Sequence, residues 1–553
     1  MRVLIQMRFM PELRAAMTAE SFTMTTEAVS IDGFSLDQSY TPILVPNRQR
    51  REQVGVTEVG QLFSFDARPE VSTYLVRGEV ADEALEPLIA AVEQDPNAIG
   101  VFSDPRISAI ATCPTASVGT HRNVENLLQF PQLQAKGMDG SNVMVAIVDS
   151  GVNLSHLNSK GKTPQFDGSK SWTPVSGPTP GNMPVDHGTM CAFDVCIAAP
   201  NSTLLDYALL QSQTRGGSVM DGFLSDAVKA FSNLLQILST APEPKPALVV
   251  NNSWGMFHPS WDFPVGHPGN YSDNPNHPFN IIVESLEDAG ADILFAAGNC
   301  GAECPVPRCQ GVTNRAIYGA NSHPSVLSIA GVTVNKERVG YSSQGPGHLD
   351  SQKPDLCAYT HFLGSGAYKD RLGNELADTG TSAACPVAAG VVASIRTKYP
   401  PSVLSPAELR QLLRRTAEDL GVAGFDYDHG FGLIDVPAIL NALERIEIPE
   451  LQIGEAVSGH LKQTGDSSLY RVRVGTSLSL ELDGPDGVDF DLYVRKALQP
   501  TISEFDYRGY TSLPDEKISI RPSEPGEYFV MVRSFRGAGD FSLKASVESI
   551  LNV

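Results

Sequence analysis

The chain has 553 residues and a formal net charge of −22 at pH 7. This length exceeds what one hydrophobic core organises, so we expect two to four domains. The negative charge argues against a nucleic-acid partner, because it would repel the phosphates. No apolar run reaches the ~20 residues that a membrane span requires.

The amino-terminal region, residues 1–115, predicts a small α+β domain. Residues 71–76 have the pattern of a strand, residues 81–93 that of an amphipathic helix, and residues 100–103 that of a second strand. The Ser-, Thr- and Ala-rich stretch 107–122 predicts a linker. Because the first residues lack the long apolar segment of a secretory signal, we expect a cytoplasmic location at this stage.

Residues 116–447 predict an α/β domain. Four nearly uninterrupted apolar runs indicate strands that are buried on both faces, as in a parallel sheet. These runs cover residues 142–148, 247–250, 291–297 and 326–332. Helical patterns such as residues 281–289 alternate with them, so we expect a parallel sheet with helices on both faces.

Three polar residues stand at informative places in this domain. Asp149 directly follows the first of these strands, where sites of open α/β sheets form. His187 precedes a Gly-Thr pair at a predicted helix start. Ser382 follows another Gly-Thr pair at the start of an apolar helix, where backbone N–H groups favour negative charge. Each residue alone is well explained as a cap or turn residue, but together they supply the orienting acid, the base and the nucleophile of a serine hydrolase.

Residues 140–440 resemble the subtilisin-like serine proteases, or subtilases. The matching stretches, in the order of that family, are Val145–Gly151, His187–Thr189, Ala296–Asn299, Ser342–Pro346, Gly380–Pro386 and Gly430–Asp435. The resemblance implies a subtilisin-like fold in which Ser382 attacks the peptide carbonyl, His187 is the general base and Asp149 orients it. It also implies that Asn299 is the side-chain donor of the oxyanion hole.

The same resemblance implies which residues hold the substrate. The cleft for the residue before the cut bond would be lined by Ser253, Trp254, Gly255, Ala296, Ala297 and Gly298. No cofactor is required and no metal ligand set is recognised; calcium binding fits the family, but no calcium site can be assigned. An insertion, Met256–Phe279, flanks the cleft, and its prolines predict a rigid, irregular loop. Cys300, Cys304 and Cys309 form either a loop disulfide or free thiols.

The two ends of the chain extend the resemblance. It implies that residues 1–115 are a propeptide, a folding chaperone and inhibitor whose tail lies in the cleft, with cleavage between about Ser108 and Ser117. A permanent structural domain is the alternative. Residues 448–553 alternate with period two between turn residues, which predicts an antiparallel β-sandwich. Parts of this region resemble the bacterial pre-peptidase C-terminal domain, which accompanies exported proteases, so secretion is the alternative to the cytoplasm.

We therefore expect a monomeric, bacterial serine endopeptidase that is made as a self-processed zymogen. Its partners would be a protein or peptide substrate and its own amino-terminal domain in the cleft, with no nucleic acid and no membrane. One alternative is a processing protease dedicated to a single partner, for which the insertions beside the cleft are the hint. The other is a catalytically silent protein that only binds peptides.

Overall fold

The computed structural model describes residues 1–8, 31, 33–46, 73–109, 116–175, 177–211, 221–242, 245–475, 477–502, 504–521 and 525–547. The chain divides into two compact units, Met1–Ile439 and Leu440–Val553. The first unit includes both the predicted amino-terminal domain and most of the predicted catalytic domain, so the boundaries at residues 115 and 447 stay predictions. Among the helices of the described ranges, none has the length and apolarity needed to cross a membrane.

The amino-terminal part of the first unit is an antiparallel sheet packed against one helix. Its elements are β1 (Arg2–Arg8), β2 (Ser35–Leu36), β3 (Ile43–Val45), β4 (Thr73–Glu79), α1 (Leu85–Gln94), β5 (Ala98–Ser103) and β6 (Arg106–Ala109). β1 lies between β4 and β5, and alternate side chains of these strands pack against Leu88 and Val92 of α1. The predicted helix begins later than expected, at Leu85, because Pro87 suits only the first turn of an α-helix. The predicted strand 71–76 is found as β4, although residues 71 and 72 lie outside the described residues.

The prediction of a linker over residues 107–122 is wrong for its first residues. β6 is a strand that pairs with two strands of the catalytic region, and helix α2 already begins at His121. The hydrogen-bond partners of β6 lie more than one hundred residues further along the chain, so its local composition carries no sign of them. Residues 110–115 lie outside the described residues.

The catalytic region contains a seven-stranded parallel sheet with helices packed against it. The strands of this region are β7 (Val143–Val148), β8 (Gln165–Phe166), β9 (Thr203–Tyr207), β10 (Asp221–Phe223), β11 (Ala247–Asn252), β12 (Trp254–Gly255), β13 (Ala291–Ala296), β14 (Leu327–Val332) and β15 (Leu356–Tyr359). β10 and β12 are not part of the seven-stranded sheet; both pair with β6. The order across the described sheet is β15-β14-β13-β11-β7-β9-β8. β7, β11, β13 and β14 are buried along their whole length, which confirms the four predicted strands.

The helices of this region position the candidate site. They are α2 (His121–Leu127), α3 (Phe130–Ala135), α4 (Leu154–Ser159), α5 (His187–Ala198), α6 (Leu224–Thr240), α7 (Pro278–Asp288), α8 (Thr381–Arg396), α9 (Pro406–Thr416) and α10 (Val436–Glu447). Every residue of α5 and α8 is buried, and the two helices pack against each other. Helices that are buried on every side belong to a core rather than to a surface.

The second unit consists of two four-stranded antiparallel sheets that share one apolar core. Its strands are β16 (Ala456–Leu461), β17 (Ser467–Val474), β18 (Leu478–Asp483), β19 (Asp489–Lys496), β20 (Tyr507–Gly509), β21 (Glu516–Ile520), β22 (Gly526–Arg536) and β23 (Gly539–Ser546). In β21 buried and exposed residues alternate, as the period-two pattern predicts.

Candidate active site

Asp149 and His187 form a buried hydrogen-bonded pair. Asp149 follows β7, a central strand of the sheet, and is fully buried. His187 is the first residue of α5, whose N-cap Asp186 accepts a hydrogen bond from the His187 N–H. The Nδ1 atom of His187 lies 2.8 and 3.0 Å from the two carboxylate oxygens of Asp149. The chain can approach this closely because Gly188 has no Cβ, which would lie 2.5 Å from the Gly151 carbonyl oxygen.

The electrostatics of this pair suit a general base. Burial disfavours the charged imidazolium, but the adjacent Asp149 carboxylate outweighs it, so the pKa of His187 lies above its ordinary value of 6.5. Since Nδ1–H donates to Asp149, Nε2 is the nitrogen that can accept a proton. Nε2 is buried and finds no hydrogen-bond partner among the described residues.

Ser382 lies in the first turn of α8, close to Asp149 and His187. Its hydroxyl donates to the Ser253 carbonyl oxygen at 3.4 Å, and Ser253 Oγ donates to the Ser382 carbonyl oxygen at 3.0 Å. The Cys191 thiol lies between the groups, 3.7 Å from Asp149 Oδ2 and 3.6 Å from the Ser382 carbonyl oxygen. Ser382 and His187 make no direct hydrogen bond in this conformation, which is common in catalytic sites without substrate.

The amide group of Asn299 is held in one orientation. Its Oδ1 accepts hydrogen bonds from the backbone N–H and the hydroxyl of Thr381, both at 3.0 Å. Because a backbone N–H can only donate, the oxygen must face Thr381 and the NH₂ group must point away. This Nδ2 is buried and has no partner within the described part of the chain. Asn299 therefore presents a free donor beside the residue that precedes Ser382.

A small pocket opens next to these groups. Three of the predicted cleft residues line it: Gly255, Ala297 and Gly298. Trp254 and Ala296 do not. The Trp254 side chain points to the opposite side of β12 and packs between Phe279 and Phe295 in the core. Ser253 contributes through its carbonyl and hydroxyl groups beside Ser382.

Sequence reasoning missed the remaining wall of the pocket. It consists of Met256, Phe257, Cys300, Ala316, Tyr318 and Asn321. Asn321 Nδ2 donates to the carbonyl oxygens of Trp254 and Ala296, at 2.8 and 2.9 Å, and so ties the two predicted walls together. No local motif marks this asparagine, because both of its partners are distant in sequence. Of the two alternatives for the loop cysteines, a disulfide or free thiols, the structure shows a disulfide between Cys300 and Cys309.

β6 pairs with the strand that directly follows Ser253, whose carbonyl oxygen accepts a hydrogen bond from Ser382. It lies between β10 and β12 and is antiparallel to both. Ser108 pairs with Gly255 and Ala109 with Trp254, so the chain runs towards Ser253 and the nucleophile. The Ser108 hydroxyl hydrogen-bonds to Asp221 and accepts a hydrogen bond from Arg308 at 2.6 Å.

The donor atoms of Asp149, His187 and Cys191 all lie within 4.8 Å of one another. Burial raises the pKa of the Cys191 thiol well above its ordinary value. Metal binding requires the thiolate, so a protonated thiol that is hydrogen-bonded to a carboxylate is a poor ligand. The absence of a resident metal at this site stays a prediction.

Comparison with known proteins identifies the class of protein that this fold and site define. The profile of the subtilase family matches residues 140–432, and the chain belongs to that family. It is a subtilisin-like serine endopeptidase. The profile of the bacterial pre-peptidase C-terminal domain matches residues 470–534.

Similar proteins include bacterial and animal proteases. Subtilisin DY of Bacillus licheniformis is 29% identical over 318 residues, which are 56% of this chain and 96% of the relative. Subtilisin E of Bacillus subtilis is 28% identical over 327 residues, 56% of this chain and 69% of the relative. Proprotein convertase subtilisin/kexin type 6 of Homo sapiens is 27% identical over 333 residues, 55% of this chain and 30% of the relative.

Proposed function

We propose that Asp149, His187 and Ser382 are the catalytic triad of this endopeptidase and that Asn299 completes its oxyanion hole. The observation that carries the proposal is the hydrogen bond between Asp149 and His187 Nδ1, which leaves Nε2 without a hydrogen-bond partner among the described residues. Comparison of the intact masses and peptidase activities of the wild type and Ser382→Ala tests it.

Each group has a defined task in peptide hydrolysis. The Ser382 hydroxyl turns from the Ser253 carbonyl to His187 Nε2, which takes its proton while Oγ attacks the scissile carbonyl carbon. Asp149 stabilises the imidazolium that forms. His187 then gives the proton to the leaving amine, and an acyl ester remains on Ser382. Water hydrolyses this ester with the same base, and no cofactor takes part.

The tetrahedral intermediates need donors for their negatively charged oxygen. Asn299 Nδ2 is one, because the hydrogen bonds from Thr381 hold it in place before substrate arrives. The Ser382 N–H is the second, since the first four N–H groups of a helix have no partner within it.

Replacing Asn299 with alanine is expected to lower kcat by roughly 10²–10³-fold, because one donor to the developing oxyanion is lost. KM should change little, since this donor acts mainly in the transition state. Steady-state kinetics on a chromogenic peptide measure both constants. A raised KM with an unchanged kcat would mean that Asn299 binds the ground state and the transition state equally strongly.

The pocket beside Ser382 favours an uncharged side chain before the cut bond. Its wall is mostly apolar, and among the described residues no charged one lines it. Cleavage of a peptide library, read by mass spectrometry, measures this preference. It also separates a broad endopeptidase from one that is dedicated to a single partner.

The amino-terminal region is an inhibitor that binds like a substrate and is then cut from the chain. The antiparallel pairing of β6 with β10 and β12 supports this role, because it places chain in the groove that substrate must enter. The region also covers the start of α6. There Asp104 accepts the Ser225 N–H at 2.8 Å, and Arg77 pairs with Asp226 at 3.2 Å.

The insertion Met256–Phe279 provides a second docking surface for this region. Every polar group of Ser103 is bound by it: N–H donates to the Gly269 carbonyl, Oγ to Asp262, and the carbonyl oxygen contacts His277 Nε2 at 3.1 Å. Phe263 of the insertion belongs to the apolar core of the amino-terminal region. Because these contacts are buried, they contribute more to the affinity of the insertion for the amino-terminal region than contacts at a solvated rim would.

Replacing Phe263 with alanine is expected to release the amino-terminal fragment after self-cleavage. Removal of a core phenylalanine costs about 3–5 kcal/mol of stability. Here the loss weakens the binding between the amino-terminal region and the catalytic region. Size-exclusion chromatography of the processed protein shows whether the two fragments elute together. Phe535→Ala, at an exposed site in the second unit, is the matched control. Elution of both variants as intact complexes would contradict a docking role for the insertion.

We also propose export, the alternative to the cytoplasmic expectation. The Cys300–Cys309 disulfide suits an oxidising compartment, and a carboxy-terminal domain of this kind is associated with exported bacterial proteases. Mass spectrometry of the alkylated protein, taken directly from the producing cells without reductant, tests this. Alkylation of both cysteines would contradict the proposal.

A further inference from the structure

Two buried carboxyl groups connect the segments that carry His187 and Ser382. Asp194 lies two turns after His187 on α5, and Asp378 lies four residues before Ser382. Both side chains are fully buried, and their carboxyl groups are hydrogen-bonded to each other.

The donors around the pair show where its proton lies. Asp378 Oδ2 accepts the Ser365 N–H at 2.6 Å, and Oδ1 accepts the Ser365 hydroxyl. Neither oxygen of Asp194 receives a hydrogen bond from an N–H or hydroxyl donor among the residues that the structure describes. Carboxylates only accept, so two carboxyl groups bond to each other only when one of them is protonated. Asp194 therefore holds the proton and donates it to the Asp378 carboxylate.

The surrounding charges do not replace this proton. Lys162 is engaged by Glu125 and by the Cys196 carbonyl, at 2.9 and 3.1 Å, and Lys160 by Glu375. On α4, His156 Nε2 contacts the Ser365 carbonyl at 2.8 Å, and on α2 the ring of His121 packs against Phe193. Within the described residues no cation forms an ion pair with Asp194 or Asp378. Burial raises the pKa of Asp378 to about 7 and that of Asp194 well above its ordinary value.

We propose that Asp194 and Asp378 are positioning residues that share one proton, and that their hydrogen bond sets the distance between the helix of His187 and the segment that enters Ser382. This inference rests on the proposed roles of His187 and Ser382. Loss of the shared proton at alkaline pH places two negative charges side by side in a buried site, which must separate. The pair thus gives kcat an alkaline limb that the triad does not provide.

Three variants test the pair in the full-length, self-processed enzyme, with kcat and KM measured across pH. Asp194→Asn keeps a donor to the Asp378 carboxylate but has no proton to lose. We expect a kcat close to that of the wild type at neutral pH and an alkaline limb displaced to higher pH. Asp194→Ala removes the donor. We expect a kcat reduced by about 10²-fold, the scale of a misplaced catalytic group, with KM little changed.

Asp378→Asn distinguishes the two partners. It places an NH₂ group where a carboxylate oxygen accepts a hydrogen bond from Ser365, so this variant should be less active than Asp194→Asn. Equal activity of the two variants would overturn the assignment of the proton. An unchanged alkaline limb in Asp194→Asn would overturn the inference as a whole. The comparison of the two asparagine variants still applies if Asp194→Ala fails to fold.

Thermal unfolding as a function of pH is a second readout. When folding raises the pKa of a buried acid, the protein loses stability as pH rises from the pKa of the unfolded state to the pKa of the folded state. The wild type should therefore lose part of its Tm through this pair as pH rises above 3.8, the ordinary pKa of an aspartate, and Asp194→Asn should lose less. Identical profiles would contradict the shared proton. If Ser382→Ala proves active, the triad itself is wrong; if it is inactive while these profiles coincide, only the positioning role fails.

Discussion

The Ser382→Ala variant is expected to lose about 10⁶-fold in kcat, the loss known for removal of the serine or histidine of the triad in the related subtilisin. It should also remain a single chain of 59.3 kDa, because no nucleophile is left to cut the amino-terminal region. The wild type, purified in parallel, should lose a fragment that ends between Ser108 and Ser117. The intact masses of both proteins and a peptide assay measure these effects.

Each departure from this result has a separate meaning. Two full-length proteins with an active wild type would show that the amino-terminal region is permanent, and the zymogen proposal would fail. Residual cleavage by Ser382→Ala at the wild-type rate would refute the triad. Labelling by a fluorophosphonate in the wild type only would exclude a silent peptide-binding protein.

Replacing Asp149 with asparagine is expected to lower kcat by about 10⁴-fold, because the amide no longer holds the tautomer of His187 that accepts a proton. The acid limb of kcat/KM should also move. In the wild type the carboxylate holds the pKa of His187 above 6.5, and activity falls as pH drops through that pKa. Without the carboxylate the pKa falls, so the acid limb shifts to lower pH.

Asp206→Asn is the matched control for this experiment. Asp206 is also buried near the site, where its Oδ2 accepts the Gly181 N–H at 2.8 Å. Burial raises its pKa to about 6, but it does not contact His187. An asparagine keeps the acceptor, so this variant should retain the acid limb of the wild type. A shift of equal size in both variants would mean that the pH of the acid limb depends on the total buried negative charge near the site and not on the Asp149–His187 hydrogen bond.

The sequence by itself determined the sheet, the order of the candidate triad and the β-sandwich. Uninterrupted apolar runs such as Val143–Val148 predict buried strands because both faces of a parallel sheet are covered. The strand, turn and helix motifs around Asp149, His187 and Ser382 are local, so a short window of sequence reveals each of them. The period-two pattern of the last hundred residues is equally local.

Only the tertiary structure decided how these parts meet. It brings His187 Nδ1 to Asp149, frees the Asn299 amide and turns Trp254 into the core instead of the cleft. It also makes a strand of β6 and joins Asp194 to Asp378. The partners in each case are tens to hundreds of residues apart. Side-chain direction and the pairing of buried polar groups depend on long-range packing, and no local pattern of residues records them.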